Sequence, residues 1–266
     1  MRIWRRHKVT TFFLLTFVIS WAIWWPTAVL ELDNDVMLIL GTFGPTAAAL
    51  GLTTAAEGKA GLREIWRRLW LWRVGLGWYL FSLGGTAVIV FVALWLYRLG
   101  GGGANFVFND LSQWYLIIPI FFYVLFFSVL GEEIGWRGYA LPRLQARYGS
   151  LPASLIIGFI WGAWHLPLFW LPGNFHQTIP LSLFLLQSVA LAIIYTWLYN
   201  QTNGSLLIAH LFHAASNVTL GVLPVLPADT GGDLIPLWIT VALLSVLTIV
   251  VAIPLSRTPV PLIRQP

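Results

Sequence analysis

The sequence contains no cysteine and few charged residues. The absence of cysteine excludes disulfide bonds, thiolate metal sites and a cysteine nucleophile. Charged residues make up only 9% of the 266 residues, while 58% are hydrophobic. So little charge, together with a strongly positive mean hydropathy, is typical of integral membrane proteins. The composition therefore predicts a protein of the lipid bilayer.

Long apolar runs fill most of the chain. Eight are long enough to cross a bilayer, at about 9–30, 36–56, 76–98, 113–136, 151–172, 180–200, 204–225 and 234–255. We therefore predict an all-α fold, a polytopic membrane helix bundle with about eight transmembrane helices. It should form a single integral-membrane domain over residues 1–266, with a motif core at 113–225. An even number of spans places both termini on the same side.

Basic residues collect on one side of these predicted spans. They occur in the N-terminal segment, after the second span, between the fourth and fifth spans and in the tail (Arg2, Arg5, Arg6, Lys8, Lys59, Arg63, Arg67, Arg68, Arg73, Arg143, Arg147, Arg257, Arg264). The opposite connections are acidic, with Arg98 as their only basic residue (Glu31, Asp33, Asp35, Asp110, Asp229, Asp233). Both termini are therefore predicted to be cytoplasmic. The net charge of +5 reflects this topology and not a nucleic-acid partner.

Residues 57–74 differ from the apolar runs. Leucine, isoleucine and tryptophan recur there at helical spacing opposite Arg63, Arg67 and Arg68. This pattern predicts an amphipathic helix on the cytoplasmic surface. Interfacial anchoring is the favoured interpretation, and recruitment of a substrate is the alternative.

Two adjacent carboxylates follow the apolar run 116–130. Glu133 and Arg137 are four residues apart, in the order that favours an ion pair on one helix face. Glu132 is rotated by about 100° and has no cation in its own helix. Because a charge at mid-helix costs roughly 2.5 to 3.5 kcal/mol, an unpaired carboxylate there indicates function. The simpler alternative is that the two carboxylates mark a helix end and meet water.

Histidines stand out in two further spans. His165 is the only ionisable residue in the fifth span, with Trp161 one turn before it. In the seventh span, His213 and Asn217 are four residues apart, and His210 lies on the same face. A lone buried histidine is more often a packed core residue, but several polar side chains on one membrane-helix face require a polar counterpart. All these groups are predicted in the cytoplasmic half of the bilayer. The remaining histidine of the predicted loops, His176, is on the outer side and is expected only to be solvated.

These three segments resemble the motifs of the CPBP family (CAAX protease and bacteriocin-processing, or Abi) of intramembrane endopeptidases. The motifs are EExxxR, an aromatic residue followed by xxxH, and HxxxN. Seven residues match them, in chain order (Glu132, Glu133, Arg137, Trp161, His165, His213, Asn217). The commoner aromatic residue of the second motif is Phe, so Trp161 is a mild departure.

The resemblance implies an endopeptidase similar to the type II CAAX prenyl endopeptidase. Glu132 and His165 would activate a water molecule for attack on a peptide carbonyl. His213 and Asn217 would stabilise the oxyanion. Glu133 and Arg137 would orient the site, with Trp161 in support. A carboxylate and an imidazole suit general base and acid chemistry, and donors in a dry site stabilise developing negative charge.

Metal dependence is left open by the residues. Glu132, His165 and His213, with His210 nearby, offer nitrogen and oxygen ligands for zinc. The HExxH motif is absent, however, and Asn217 suits an oxyanion better than a metal. We expect no cofactor and a glutamate-dependent mechanism, with a zinc peptidase as the alternative.

The expected partners are the lipid bilayer and a membrane-associated peptide or protein substrate, with no nucleic acid. The absence of a targeting extension favours the plasma membrane of a prokaryote. Two other functions are compatible with the same residues. One is a non-catalytic immunity or scaffold protein that uses the pocket to bind a peptide or a partner. The other is a proton-coupled transporter, against which stand the lack of an evident inverted repeat and the single depth of the polar groups.

Overall fold

A computed structural model describes residues 8–32, 35–102 and 111–257. This part of the chain contains helices and no strand, which confirms the all-α bundle. We number the helices in chain order: α1 Lys8–Val29, α2 Asp35–Thr42, α3 Gly44–Leu69, α4 Leu76–Leu99, α5 residues 117–148, α6 Ser150–Trp164, α7 Leu181–Gln201, α8 Leu206–Val222 and α9 Ile235–Arg257. Short 3-10 turns lie at Leu111–Leu116, Leu166–Phe169 and Phe175–Thr178.

Six helical segments of the described chain are long and apolar enough to cross a bilayer. They are α1, the α2–α3 pair, α4, the segment Trp114–Tyr148, α7 and α9. The predicted fifth and seventh spans are shorter helices, α6 and α8, of 15 and 17 residues. At 1.5 Å per residue α6 is about 22 Å long, less than the roughly 30 Å of a bilayer core. The protein is thus a multi-pass membrane protein in which two predicted spans are short.

The end of α6 follows from the chain after it. Pro167 has no N–H to donate to the carbonyl four residues before it, and its ring clashes with that carbonyl. The helix therefore ends at Trp164, and a 3-10 turn follows at Leu166–Phe169. The predicted span, 151–172, is therefore too long. The early end releases His165 from the regular helix.

Proline and glycine divide the segment in which the second span is predicted. Pro45 occupies the first turn of α3, so α2 and α3 are separate helices. Gly58, with φ of +62°, divides α3 into a bundle part and the amphipathic part after it. In that amphipathic part Trp66 and Trp70 are exposed, as the pattern predicts. The helix ends at Leu69, however, and not at Val74.

Arg68 contradicts the predicted polar face of this helix. Only 5% of its surface is exposed. Its Nε donates to Glu64 at 2.8 Å, and its Nη1 donates to the hydroxyl of Tyr199 on α7 at 3.0 Å. The helical pattern could not reveal this burial, because α7 covers one edge of the charged face.

Helix α5 is irregular where it carries the two carboxylates. Wider π turns at Leu125–Val129 and Ile134–Ala140 flank a single α turn, Leu130–Glu133. Such turns are frequent at functional sites because they change the direction of side chains within one helix. Gly135 packs against the start of α3, where an added Cβ would lie 2.6 Å from Pro45 Cβ. The carboxylates are therefore held deep in the bundle.

Close packing also fixes α6 against α7. A Cβ on Gly158 would lie 2.7 Å from the Cα of Val189, so the two backbones nearly touch. Tryptophans fill the space on the other side of α6: the ring centroid of Trp164 is 4.6 Å from that of Trp24 and 5.8 Å from that of Trp136. The C-terminal end of α6 is therefore packed among aromatic rings.

Several residues of the predicted topology lie outside the described residues. They are the basic residues Arg2, Arg5, Arg6 and Arg264 and the acidic residues Asp33 and Asp110. The orientation with both termini in the cytoplasm accordingly stays a prediction.

Candidate active site

The two carboxylates of α5 are both buried and have different partners. Glu132 is 3% exposed and Glu133 is fully buried. Glu133 Oε1 accepts a hydrogen bond from Arg137 Nη1 at 2.7 Å, so the ion pair predicted from the spacing is present. The same oxygen lies 2.9 Å from His213 Nδ1 on α8. Glu133 therefore joins α5 to α8, which its position in the sequence did not reveal.

Arg137 is enclosed by aromatic rings. Its side chain is 1% exposed. The guanidinium carbon lies 4.9 Å from the ring centroid of Trp161 and 4.1 Å from that of Tyr195. Both distances allow a cation–π interaction, which is stronger in a desolvated site. Tyr195 on α7 was not predicted as a site residue, because a tyrosine in an apolar span carries no signal of its own.

Glu132 has a partner on another helix. Its Oε2 accepts a hydrogen bond of 2.7 Å from the indole Nε1 of Trp161. The carboxylate is therefore held at one oxygen, while Oε1 remains for other chemistry. A tryptophan at this position thus anchors the side chain that sequence analysis predicts as the working acid.

His165 follows the last residue of α6. Its Nδ1 lies 2.8 Å from the backbone oxygen of Trp161. Because a carbonyl oxygen can only accept, Nδ1 carries the hydrogen, and Nε2 of the neutral ring is free to take a proton. No hydrogen bond joins His165 to Glu132 in the described part of the chain. Trp161 contacts both, since its ring centroid is 5.7 Å from that of His165.

His213 and Asn217 differ in exposure although they share one face of α8. His213 is 3% exposed, and its ring centroid is 5.5 Å from that of Trp161. Asn217, one turn later, is exposed. The site is therefore closed at His213 and opens toward Asn217.

The sequence around this cluster is similar to known proteases. Residues 113–219 match the family described as type II CAAX prenyl endopeptidase Rce1-like. A CAAX prenyl protease 2 from Methanococcus maripaludis is 29% identical over 235 residues, which cover 83% of this chain and 86% of the relative. The chain resembles the CAAX prenyl endopeptidases. All seven motif residues lie inside the matched range, and the similarity supports a membrane protease.

The departure from the commoner motif of this family has a structural consequence. Phenylalanine, the commoner residue at the position of Trp161, has no N–H to donate. In this chain the indole supplies a hydrogen bond to Glu132 as well as a face to Arg137. Trp161, a mild deviation from the motif, thus makes a hydrogen bond and a cation–π contact in the site.

His210 lies near the site without joining it by a hydrogen bond. Its Nδ1 is 2.6 Å from the backbone oxygen of Leu206, so the ring is held within its own helix. Its buried Nε2 has no hydrogen-bond partner among residues 8–32, 35–102 and 111–257. No motif of the family places a residue here, and the contacts assign it no catalytic part.

The expectation for His176 is wrong. It was expected to be solvated in an outer loop, yet only 4% of its surface is exposed. The 3-10 turns at Leu166–Phe169 and Phe175–Thr178 bring it against the end of α6. Its ring is stacked on that of His165, with centroids 5.5 Å apart and an interplanar angle of 24°. Burial, with the nearby His165 acting in the same direction, lowers the pKa of His176 well below its usual value.

The possible zinc ligands are not grouped as a metal requires. Within the described residues no three His, Asp or Glu side chains are close enough together to hold a metal ion. Glu132 is bonded to Trp161, His213 to Glu133 and His165 to a carbonyl oxygen. This donor set does not fit a zinc site, so we derive no step through a metal.

Proposed function

We propose that this protein is an intramembrane endopeptidase that hydrolyses a peptide bond of a membrane-associated peptide or protein. The observation that carries the proposal is the buried cluster of Glu132, Glu133, Arg137 and His213 inside an apolar helix bundle. Burying charge is expensive, and ionisable residues in membrane helices are functional by default. The similarity to CAAX prenyl endopeptidases covers this cluster.

Glu132 is proposed as the general base. Its Oε1 takes a proton from a water molecule, and the hydroxide adds to the carbonyl carbon of the peptide bond to form a tetrahedral intermediate. The proton then passes to the leaving nitrogen as the C–N bond breaks, which yields a carboxylic acid and an amine. His165 assists by accepting a hydrogen bond from the water through Nε2, because its Nδ1 is held by the Trp161 carbonyl.

His213 and Asn217 are proposed to stabilise the oxyanion. If His213 Nδ1 donates to Glu133, Nε2 can donate to the oxyanion only when the ring carries both protons. Asn217 is exposed, so a substrate that enters at this end of α8 would cover it and reach both donors.

Glu133, Arg137 and Trp161 are proposed to orient these groups. Glu133 is bonded to both Arg137 and His213, and the guanidinium lies over the rings of Trp161 and Tyr195. Three buried atoms of this group have no hydrogen-bond partner in the described chain: Glu133 Oε2, Arg137 Nη2 and the Tyr195 hydroxyl. Such atoms are rare in folded proteins. In a site that receives water and a polar substrate, they have hydrogen-bond partners.

The reaction is proposed to be metal-free. The proposed base and oxyanion donors are all side chains of this chain, and Glu132, His165 and His213 are each held by a hydrogen bond. Zinc is the alternative that a metal analysis would reveal. The protein is proposed to work in the plasma membrane of a prokaryote with both termini in the cytoplasm, and with the bilayer and its substrate as partners.

Peptide cleavage by the purified protein in liposomes tests this function. The probes are a fluorogenic prenylated peptide that ends in a CAAX sequence, the same peptide without the prenyl group, and a library of apolar peptides. We expect cleavage by the wild type and none by Glu132→Gln. A folded wild type that binds one of these peptides but cleaves none would refute the peptidase and support the non-catalytic scaffold.

A further inference from the structure

His176 is held tightly although it lies between helices. Asn174 Oδ1 accepts from the backbone N–H of His176 at 3.1 Å and lies 2.6 Å from the ring Nδ1. An amide oxygen accepts both bonds, which fixes the tautomer of the ring as well as its position. The segment Phe175–Thr178 thereby presents one particular face of His176 to the bundle.

Aromatic rings enclose both histidines. The ring of Phe184 on α7 is 5.2 Å from that of His165 and 5.0 Å from that of His176. Phe175 lies 4.1 Å from His176 on the loop side. Centroid distances of this size are those of offset or edge contacts, which resist rotation of the rings. The low pKa of His176 keeps this ring neutral near pH 7, so stacking brings no charge repulsion from its side.

In the part of the chain that the structure describes, His165 is in contact with four rings, and only that of His176 lies nearly parallel to it, at 24°. The rings of Trp161, Trp164 and Phe184 meet it at 70°, 78° and 69°. One hydrogen bond, from Nδ1 to the Trp161 carbonyl, fixes one edge of its ring. The residue stands outside the regular helix, because α6 ends at Trp164. The stacked His176 adds the one parallel ring among the described residues, beside these edge contacts.

We propose that His176 is a positioning residue for His165. By stacking on it and covering it from the loop between α6 and α7, His176 holds the imidazole in the orientation in which Nε2 contacts the attacking water. The proposal rests on the role of His165 in the proposed function. It assigns a part in the reaction to the segment Phe175–Thr178, which carries none of the three motifs.

The kinetic test compares His176→Ala with His176→Phe, using the prenylated fluorogenic peptide and protein in liposomes. The alanine variant should lower kcat by about 10-fold to 100-fold, since small misplacements of a reacting group have effects of that size. KM should stay within about 2-fold, because the change is felt mainly in the transition state. The phenylalanine variant keeps a stacked ring and should recover most of kcat. If the alanine variant does not fold, His176→Leu replaces it, as it fills the space without a ring.

Gln177→Ala is the matched control. Gln177 is exposed in the same 3-10 turn, so this variant should have the kcat of the wild type. Equal kcat values for His176→Ala (or His176→Leu) and the wild type would overturn the proposal. An equal loss of kcat in the phenylalanine and alanine variants would also overturn it, because a ring would then not be what matters.

Nitrogen NMR of ring-labelled histidine in detergent separates this inference from the proposed function. The signals of His165 are identified by their loss in His165→Gln. They should shift in His176→Ala and stay in place in Gln177→Ala. A wild type that cleaves no peptide would refute the peptidase, while the NMR shift would still decide whether His176 positions His165. Unchanged His165 signals in His176→Ala would refute the positioning role.

Discussion

Glu132 and Glu133 are adjacent, yet their replacement by glutamine should have different effects on stability. Glu133 carries two charge-assisted contacts, to Arg137 Nη1 at 2.7 Å and to His213 Nδ1 at 2.9 Å. Its loss leaves a guanidinium that is 1% exposed without its counter-ion. Breaking a buried pair in this way costs about 3 to 5 kcal/mol. The rings of Trp161 and Tyr195 and the glutamine oxygen offset part of it, so we expect about 2 to 3 kcal/mol.

Glu132→Gln removes a carboxylate whose one hydrogen-bond partner among the described side chains is neutral. The glutamine oxygen can still accept from Trp161 Nε1, so the free energy of unfolding should change by less than about 1 kcal/mol. For a chain of this size 1 kcal/mol corresponds to about 2 to 4 °C in Tm. We therefore expect Glu133→Gln to lower Tm by roughly 4 to 12 °C and Glu132→Gln to leave it within about 4 °C.

The assay is thermal unfolding in detergent, followed by tryptophan fluorescence, beside peptide cleavage in liposomes. Glu132→Gln should lose turnover at a normal Tm, whereas Glu133→Gln should lose both. The ion pair Glu64–Arg67 is a matched control. It also joins two residues of one helix, but the Arg67 side chain is 57% exposed. Arg67→Gln removes this pair and leaves Glu64 bonded to the buried Arg68, so it should cost less than about 1 kcal/mol. Equal Tm values for the two α5 variants would refute the division between a working and a structural carboxylate.

The remaining predictions concern single features of the site and the topology. Trp161→Phe keeps the ring over Arg137 but removes the donor to Glu132, so kcat should fall about 10-fold, as expected for a bond of about 1.4 kcal/mol; a kcat equal to that of the wild type would contradict it. Asn217→Ala should lower kcat by about 100-fold with little change in KM, and a change in KM alone would exclude an oxyanion role. Tight chelation should leave activity unchanged, and one zinc per chain in elemental analysis, lost in His213→Ala, would overturn the metal-free mechanism. A single cysteine at Arg147 in this cysteine-free chain should react only from the cytoplasm, so labelling from outside would reverse the predicted topology.

The sequence by itself determined the class of protein and the local geometry of its first motif. With 9% charged residues and long apolar runs, the chain has to satisfy its backbone within helices in a bilayer. Glu133 and Arg137 are four residues apart on one segment, so their ion pair is a property of the helix and was predictable. The three motifs also predicted the resemblance to CAAX prenyl endopeptidases, because residue types and spacing are enough for such a match.

Tertiary packing decided everything that joins one helix to another. The bonds Trp161–Glu132 and His213–Glu133 span 29 and 80 residues, and they depend on how α6 and α8 are rotated against α5. Hydrophobic patterns indicate which face of a helix is buried. They do not give its rotation as accurately as the geometry of a hydrogen bond requires. His176 and Arg68 were misjudged for the same reason, since each is polar in its local sequence and is buried by another part of the chain. Burial of a polar side chain is a property of its neighbours in space, and only the folded structure brings those neighbours together.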